Sequence, residues 1–199
     1  MSTTPDQGCT QTISPVPQNN KIMPYTPQPL PIRRAWIGLG SNLPGSEGSP
    51  AEALKTACAH LDSLPDTRVT ACSRLYRSAP FQAEGPDFFN QVVRLETRLP
   101  ATALLTALQV IEHRFGRERP YRNAPRTLDL DLLVLEGETS TSNLLTLPHP
   151  RLHERLFVLM PLAELNPDLQ IPGQPGNAAS LLAALQDSAA DQQCEPVAA

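Results

Sequence analysis

Residues 126–135 read RTLDLDLLVL, and this decapeptide limits the fold more than any other part of the chain. Side chains alternate faces along a strand, so Leu128, Leu130, Leu132 and Val134 are predicted on one face and Asp129, Asp131, Leu133 and Leu135 on the other. The segment must then be a strand whose apolar face is buried. Both carboxylates share the opposite face, with Cα atoms about 6.6–7 Å apart, close enough to reach the same one or two cations. Two acids in an otherwise apolar strand are costly unless solvated, paired or bound to metal. Carboxylate oxygens with no Cys or His interleaved suit a hard cation, and Mg²⁺ typically takes one or two carboxylates plus water and substrate phosphates. A D-x-D alone also suits the wet face of a sheet, so the neighbouring residues decide.

Just upstream stand Arg114, Arg117, Arg119, Arg122 and Arg126, with no Lys among them. A guanidinium grips phosphate oxygens through two parallel hydrogen bonds, whereas an ammonium acts as a point charge. Arg114 alone also suits a helix C-terminus. As a set, a cationic loop beside a metal pair is what polyphosphate transfer requires, since that chemistry is mostly positioning and charge neutralisation. The chain has no G-x-x-x-x-G-K-[ST] loop and no kinase catalytic-loop set, so a nucleotide site here is not of the Walker kind. Phe88-Phe89-Asn90 opens another strand beside a long loop. One ring can stack on a flat heterocycle while the Asn amide reads its edge, although either Phe also suits a core. His149, in L-P-H-P-R, sits in a loop stiffened by two prolines and can touch phosphate or ribose, one of many roles open to a loop His.

Around these motifs the periodicities predict a strand at 35–41, AWIGLGS, stopped by Asn42, Pro44 and Gly45. Ser49 and Glu52 form a capping box with Pro50 in the first turn of a helix, striped by Leu54, Ala57, Cys58, Leu61 and Leu64. Strands at 68–77 and 89–97 follow, joined by the loop SAPFQAEGPD. A second helix opens at Pro100, is striped by Leu104, Leu108, Ile111 and Phe115, and ends at Gly116; a strand at 127–135 comes next. The order β-α-β-β-α-β is that of a ferredoxin-like α+β sandwich, a mainly antiparallel sheet backed by two helices. Residues 147–162 are expected to become helical in their second half, packing through Leu156, Leu159 and Met160 and covering the sheet or the site. A short helix at 178–185 precedes a polar tail.

The 199 residues suffice for one well-buried domain. Seven of the 22 prolines fall in residues 1–31, a polar stretch with no apolar period, so residues 1–33 read as a disordered leader, 34–173 as the domain and 174–199 as a C-terminal helix with a flexible tail. No secretory pattern or spanning segment is present, which leads us to expect a cytoplasmic protein without membrane contact. A net charge of −4 argues against a general nucleic-acid binder. Cys9, Cys58, Cys72 and Cys194 lack metal or redox spacing and read as buried or idle thiols.

IGLGSN at 37–42, LYRSAPF at 75–81, PDFFNQVVRLET at 86–97, GRER at 116–119, APRTLDLDLL at 124–133 and LTLPHPRLHERLFVLMPLAE at 145–164 resemble, in order and spacing, the 6-hydroxymethyl-7,8-dihydropterin pyrophosphokinase family over about residues 34–173. The resemblance implies that ATP and the hydroxymethyl dihydropterin become AMP and the pterin diphosphate, the step before dihydropteroate synthesis in folate biosynthesis. It implies that Asp129 and Asp131 hold two Mg²⁺ ions, that Arg117 and Arg126 assist transfer, and that Arg119, Arg122 and Arg155 are further ATP contacts. Phe88 and Phe157 then sandwich the pterin, Asn90 reads its polar edge, and Ser78, Ala79 and Phe81 line its pocket. Gln109, Leu132, Thr146 and His149 match ATP-side positions. The chain departs from the pattern at Asn123-Ala124, where many members have Trp-Gly, and at Phe88, where some have Tyr.

On this reading the pterin hydroxyl attacks the β-phosphorus in line, the 116–125 and 78–87 loops close over the substrates, and the enzyme is a monomer. Two readings of other classes stay open. One is a ligand-sensing module on the same scaffold, and the other a metal-dependent phosphohydrolase using the same aspartates.

Overall fold

A computed structural model describes residues 30–81, 85–116 and 125–198. Most of the expected leader, with Cys9, lies outside these residues, as do Arg117, Arg119, Arg122 and the greater part of the 116–125 loop. In chain order the elements are β1 (Arg33–Ser41), α1 (Pro50–Asp62), β2 (Thr67–Cys72), β3 (Tyr76–Ser78), β4 (Phe88–Thr97), α2 (Ala101–Arg114), β5 (Asp129–Leu135), β6 (Ser140–Thr141), β7 (Thr146–Leu147), α3 (Leu156–Leu165), α4 (Ala178–Ser188) and β8 (Cys194–Pro196). A single 3-10 turn, Leu152–Glu154, leads into α3. Among the described residues the result is a mixed α/β arrangement with an antiparallel sheet and four helices.

The sheet runs β5-β1-β4-β3-β8, with β2 also on β4. Both faces are covered. Ala35, Ile37 and Leu39 of β1 and Val93 and Leu95 of β4 pack with Leu54, Leu61, Leu104 and Leu108 of α1 and α2. From the opposite face, Trp36 and Val92 pack with Leu159 and Leu162 of α3 and Ala178 of α4. The segment expected to turn helical and cover the sheet or the site thus does cover the sheet as α3, and with α4 it adds a second helical layer to the two-helix sandwich. Within α3, Leu156 and Leu159 are buried as expected, but Met160 is only half-buried, and Val158 and Leu162 complete the apolar face.

Local chemistry accounts for most boundaries. The α1 capping box is present, the Glu52 amide donating to Ser49 Oγ at 3.4 Å and the Ser49 amide to Glu52 Oε2 at 2.7 Å. Helix α2 gives way at Gly116, whose φ of 69° is left-handed. The strand expected at 68–77 is two strands. Cys72 pairs with Val93 and Tyr76 with Asn90, so the outer strand has one residue more than β4 spans and bends there. Ser73, within the bend, accepts from the Val92 amide through its hydroxyl at 3.1 Å.

A second bulge corrects the expected faces of β5. Trp36 pairs with Val134 but Ile37 with Leu132, leaving Leu133 as the extra residue. Leu128, Leu130 and Leu132 face α1 and α2 as predicted, but past the bulge the phase flips, so Val134 joins Leu133 in the α3 layer and Leu135 joins the α1–α2 layer. The residues after 185, expected as a polar tail, continue α4 to Ser188 and then supply β8 against β3. The described cysteines, Cys58, Cys72 and Cys194, are free thiols.

Candidate active site

Three neighbouring strands build the floor of the site in rows. Gly40 of β1 lies between Asn90 of β4 and Asp129 of β5, and two residues on, Gly38 lies between Val92 and Asp131. Period-2 alternation puts all six on the sheet face that carries α3. Because β1 presents no side chain at Gly40, its backbone becomes a shallow trough there, with Asn90 on one bank and Asp129 on the other. A Cβ at Gly40 would stand in ordinary van der Waals contact, 3.7 Å from Asn90 Oδ1 and 4.0 Å from Asp129 Cβ, whereas over Gly38 the Leu133 side chain already closes in, 3.4 Å from where a Cβ would be.

Over this trough lies a cleft of about 770 Å³, its open mouth included, whose walls include Ser78, Ala79, Phe81, Phe88, Asn90, Arg126, Asp129, Asp131, Arg155 and Phe157. All six residues expected around the pterin are among them. Phe88 faces the cleft, while Phe89, on the opposite face of β4, packs against the α1–α2 core. Asn90 is buried and donates from Nδ2 to Ser78 Oγ at 2.9 Å, which orients its amide.

Each aromatic wall is paired with an arginine. The Arg126 guanidinium lies 6.0 Å from the Phe88 ring centre and Arg155 5.5 Å from that of Phe157, both within cation–π range. The same cations meet the acids: Arg126 Nη1 is 2.5 Å from Asp129 Oδ2, and Arg155 Nη1 is 3.9 Å from Asp131 Oδ2. Burial pulls the Arg155 pKa below its usual value, and Asp131 counters part of that shift. A half-buried guanidinium poised against a carboxylate can transfer to a phosphate without first shedding a full hydration shell.

Among the described residues no group of three or more His, Cys, Asp or Glu could hold a metal. The two cleft carboxylates, Asp129 and Asp131, would suit Mg²⁺, an ion that completes its shell with water and substrate phosphates.

Of the other residues expected at the nucleotide, Arg119 and Arg122 lie outside the described residues, and the four that are described do not line the cleft. Gln109 is exposed on α2, Thr146 is exposed on β7, and the Leu132 side chain belongs to the α1–α2 core. His149 is half-buried; its amide donates to the Leu133 carbonyl at 2.8 Å and its Nδ1 accepts from the Arg151 amide at 3.3 Å. Burial foremost, then the Arg155 charge, pushes its pKa down to about 4, so the ring is neutral near pH 7. The Leu147–Pro148 bond beside it is cis.

Sequence reasoning passed over two residues that hold the site together. Asn42, read only as a turn former, is 3% exposed. It accepts from the Arg126 amide at 2.8 Å and donates to the Pro86 carbonyl at 3.1 Å, tying the arginine segment to the loop before Phe88. Its signal was a side chain with both donor and acceptor directly after a buried strand. Glu112, 4% exposed on α2, accepts from the Leu130 amide at 2.7 Å, between the two aspartates. Only its place among the apolar positions of α2 hinted at this.

Comparison with known proteins places the chain. The family model for 7,8-dihydro-6-hydroxymethylpterin-pyrophosphokinase matches residues 36–167. The 2-amino-4-hydroxy-6-hydroxymethyldihydropteridine pyrophosphokinase of Pseudomonas aeruginosa is 44% identical over 142 residues, covering 71% of this chain and 85% of that protein. The Methylorubrum extorquens protein of the same name is 42% identical over 144 residues, covering 72% and 89%. Among solved structures, wild-type Plasmodium falciparum HPPK-DHPS with pteroate superimposes with a TM-score of 0.62 at 13% identity, over 77% of this chain. The chain spans only 44% of that longer protein, and the likeness bears on the fold alone. With a family model over most of its folded length and relatives above 40% identity, this chain belongs to the 7,8-dihydro-6-hydroxymethylpterin-pyrophosphokinase family.

Proposed function

We propose that the chain transfers the diphosphate of ATP to 6-hydroxymethyl-7,8-dihydropterin, giving AMP and the pterin diphosphate, in folate biosynthesis. One observation carries the reading: a cleft walled by Phe88 and Phe157, with Asn90 and Ser78 at its polar edge, runs over Gly40, which has no side chain, to Asp129 and Asp131. That arrangement supports a flat heterocycle lying beside phosphate-bound metal.

In the reaction the pterin hydroxyl oxygen bonds to the β-phosphorus as the bond from β-phosphorus to the α,β-bridging oxygen breaks. AMP departs with that electron pair, and the hydroxyl proton passes to solvent. Asp129 and Asp131 would hold the Mg²⁺, two ions by the family resemblance, and bound metal supplies charge neutralisation on the phosphates and a lower pKa for the attacking hydroxyl. Phe88 and Phe157 hold the ring, Asn90 fixes its rotation, and Arg126 and Arg155 leave their carboxylates to bind phosphate oxygens. Arg117, Arg119 and Arg122 extend the cationic set, and Gln109, Leu132, Thr146 and His149 serve the nucleotide, Leu132 through its backbone. Among the described residues lining the cleft, Asp129 and Asp131 are the only carboxylates and there is no histidine, which supports loss of the proton to solvent.

The strand order, fourth–first–third–second of a βαββαβ unit with β2 and β3 counted as one, supports the ferredoxin-like reading. We read the enzyme as a cytoplasmic monomer, which gel filtration and fractionation would check.

The deciding experiment measures AMP release from Mg-ATP with and without 6-hydroxymethyl-7,8-dihydropterin. Pterin-dependent AMP is the expected result. Phosphate release without pterin would point to a phosphohydrolase, and binding of both ligands without AMP to a sensor.

A further inference from the structure

The C-terminal segment reaches the site from behind. Helix α3 begins at Leu156 with Arg155 as its N-cap, and Arg155 offers no side-chain cap, although the first amides of a helix need acceptors from outside it. The Leu156 amide donates to Gln192 Oε1 at 2.9 Å, and Gln192 Nε2 donates to the Glu154 carbonyl at 2.8 Å. These are the carbonyl before Arg155 and the amide after it. One primary amide therefore grips both peptides flanking Arg155, as a neighbouring strand would, and holds it extended at φ −126°, ψ 113°. Turning Arg155 about its backbone would break both bonds.

Gln192 is itself anchored. Its amide donates to the Ala189 carbonyl at 3.1 Å, the Gln193 carbonyl accepts from Ala79 at 3.2 Å, and Cys194 pairs with Ser78. Residues 192–194 thus join the Ser78–Ala79 wall of the cleft to the Arg155–Phe157 wall. Asp191, Gln192 and Gln193 share a small crevice with Phe81 and Phe157 where the two walls meet.

We propose that Gln192 is a positioning residue for the transfer reaction, setting the Arg155 guanidinium between Asp131 and the Phe157 ring. This rests on the pyrophosphokinase reading and adds to it a part of the chain outside the matched residues 36–167. Misplacing a reacting-site cation by about 1 Å can cost on the order of a hundredfold in rate.

The test is a double-mutant cycle of Gln192→Ala and Arg155→Ala, followed by kcat for AMP formation and by equilibrium binding of Mg-α,β-methylene-ATP, which needs no turnover. Gln192→Ala is expected to lower kcat about tenfold and weaken nucleotide binding, yet to change either by less than twofold in the Arg155→Ala background. An equal loss in both backgrounds would reveal a merely structural role, and wild-type kcat and affinity in Gln192→Ala would remove any role; either overturns the proposal. Should Gln192→Ala not fold, Gln192→Glu keeps the acceptor for Leu156, removes the donor to Glu154 and serves in the same cycle. Pterin-dependent AMP from the wild type is read alongside: its absence would sink the pyrophosphokinase reading, whereas failed coupling sinks only the role of Gln192.

Discussion

Replacing Gly40 by alanine separates what the fold needs from what the substrate needs. Gly40 has no left-handed φ, so alanine can adopt its backbone conformation. Its Cβ would sit at ordinary van der Waals distance, 3.7 Å from Asn90 Oδ1 and 4.0 Å from Asp129 Cβ. Removing a glycine from the unfolded chain stabilises the folded one by about 0.4–1 kcal/mol when no strain results. For a protein of this size that raises Tm by roughly 1–4 °C. The same methyl rises from the cleft floor between Asn90 and Asp129, the residues proposed to read the heterocycle and to hold the metal. A ring lifted by about 1 Å loses alignment with the phosphate, and such misplacement costs up to about a hundredfold in rate. Calorimetric Tm, titration of pterin in the presence of Mg-α,β-methylene-ATP, and kcat/KM for pterin would be measured together. Stability should rise while kcat/KM falls at least tenfold. If Tm rises and pterin kinetics stay within twofold of wild type, the ring does not lie over Gly40 and the trough is not the substrate floor.

Asp129→Ala and Asp131→Ala should each lower kcat by a factor on the order of a thousand, as loss of a principal charge stabiliser does; wild-type AMP release from either would refute the metal assignment. His149, ordinarily near 6.5, is held at about 4, so between those values the unfolded chain binds a proton that the folded chain does not. Stability should therefore fall as pH drops from 6.5 toward 4, by up to about 3 kcal/mol, and urea titrations across that range should show a flatter profile in His149→Gln. Ser49→Ala removes the α1 cap and should cost about 1 kcal/mol, read as a lower urea midpoint with unchanged slope. Asn42→Ala strands the Arg126 amide and the Pro86 carbonyl and should cost about 2–4 kcal/mol. Calorimetry checks that value, and a loss under 1 kcal/mol would mean that water replaces both bonds.

The aspartate-bearing strand and its neighbours were legible because period-2 alternation is a property of each residue and its next neighbour. The strand pattern predicts that Asp129 and Asp131 share a face, and they do. Pairing count is a property of two strands at once. Neither the Leu133 bulge nor the bend at Ser73 leaves a mark in its own segment, so the faces of Val134 and Leu135 came out exchanged. The capping box of α1 was legible because both partners lie within one turn. The cap of α3 was not, because its acceptor, Gln192, lies 36 residues downstream. Asn42 illustrates the same limit, since its partners, Arg126 and Pro86, are 84 and 44 residues away.

The glycines of β1 explain why the sheet carries helices on both faces. A strand with two glycines among its cleft-facing positions gives up packing there and pays extra backbone entropy, about 0.5–1 kcal/mol for each relative to alanine. The cleft removes side-chain contacts from that face over the Gly40 row, while Leu133 packs over Gly38, leaving the sheet to be held at its other end and from its other side. Both supports are present: Trp36, at 2% exposure, packs with Leu159 and Leu162 beyond the cleft, and Ala35, Ile37 and Leu39 are buried beneath it against α1 and α2. The apolar run Leu132–Leu135 has the same origin, because the Leu133 bulge lets one segment feed both cores immediately after supplying both aspartates. Filling the trough with a larger residue at 40 should therefore increase stability only as far as it abolishes the site, whereas a larger residue at 38 would press on Leu133, whose Cδ atoms stand 3.4 Å from where a Cβ would be, and should cost stability by overpacking.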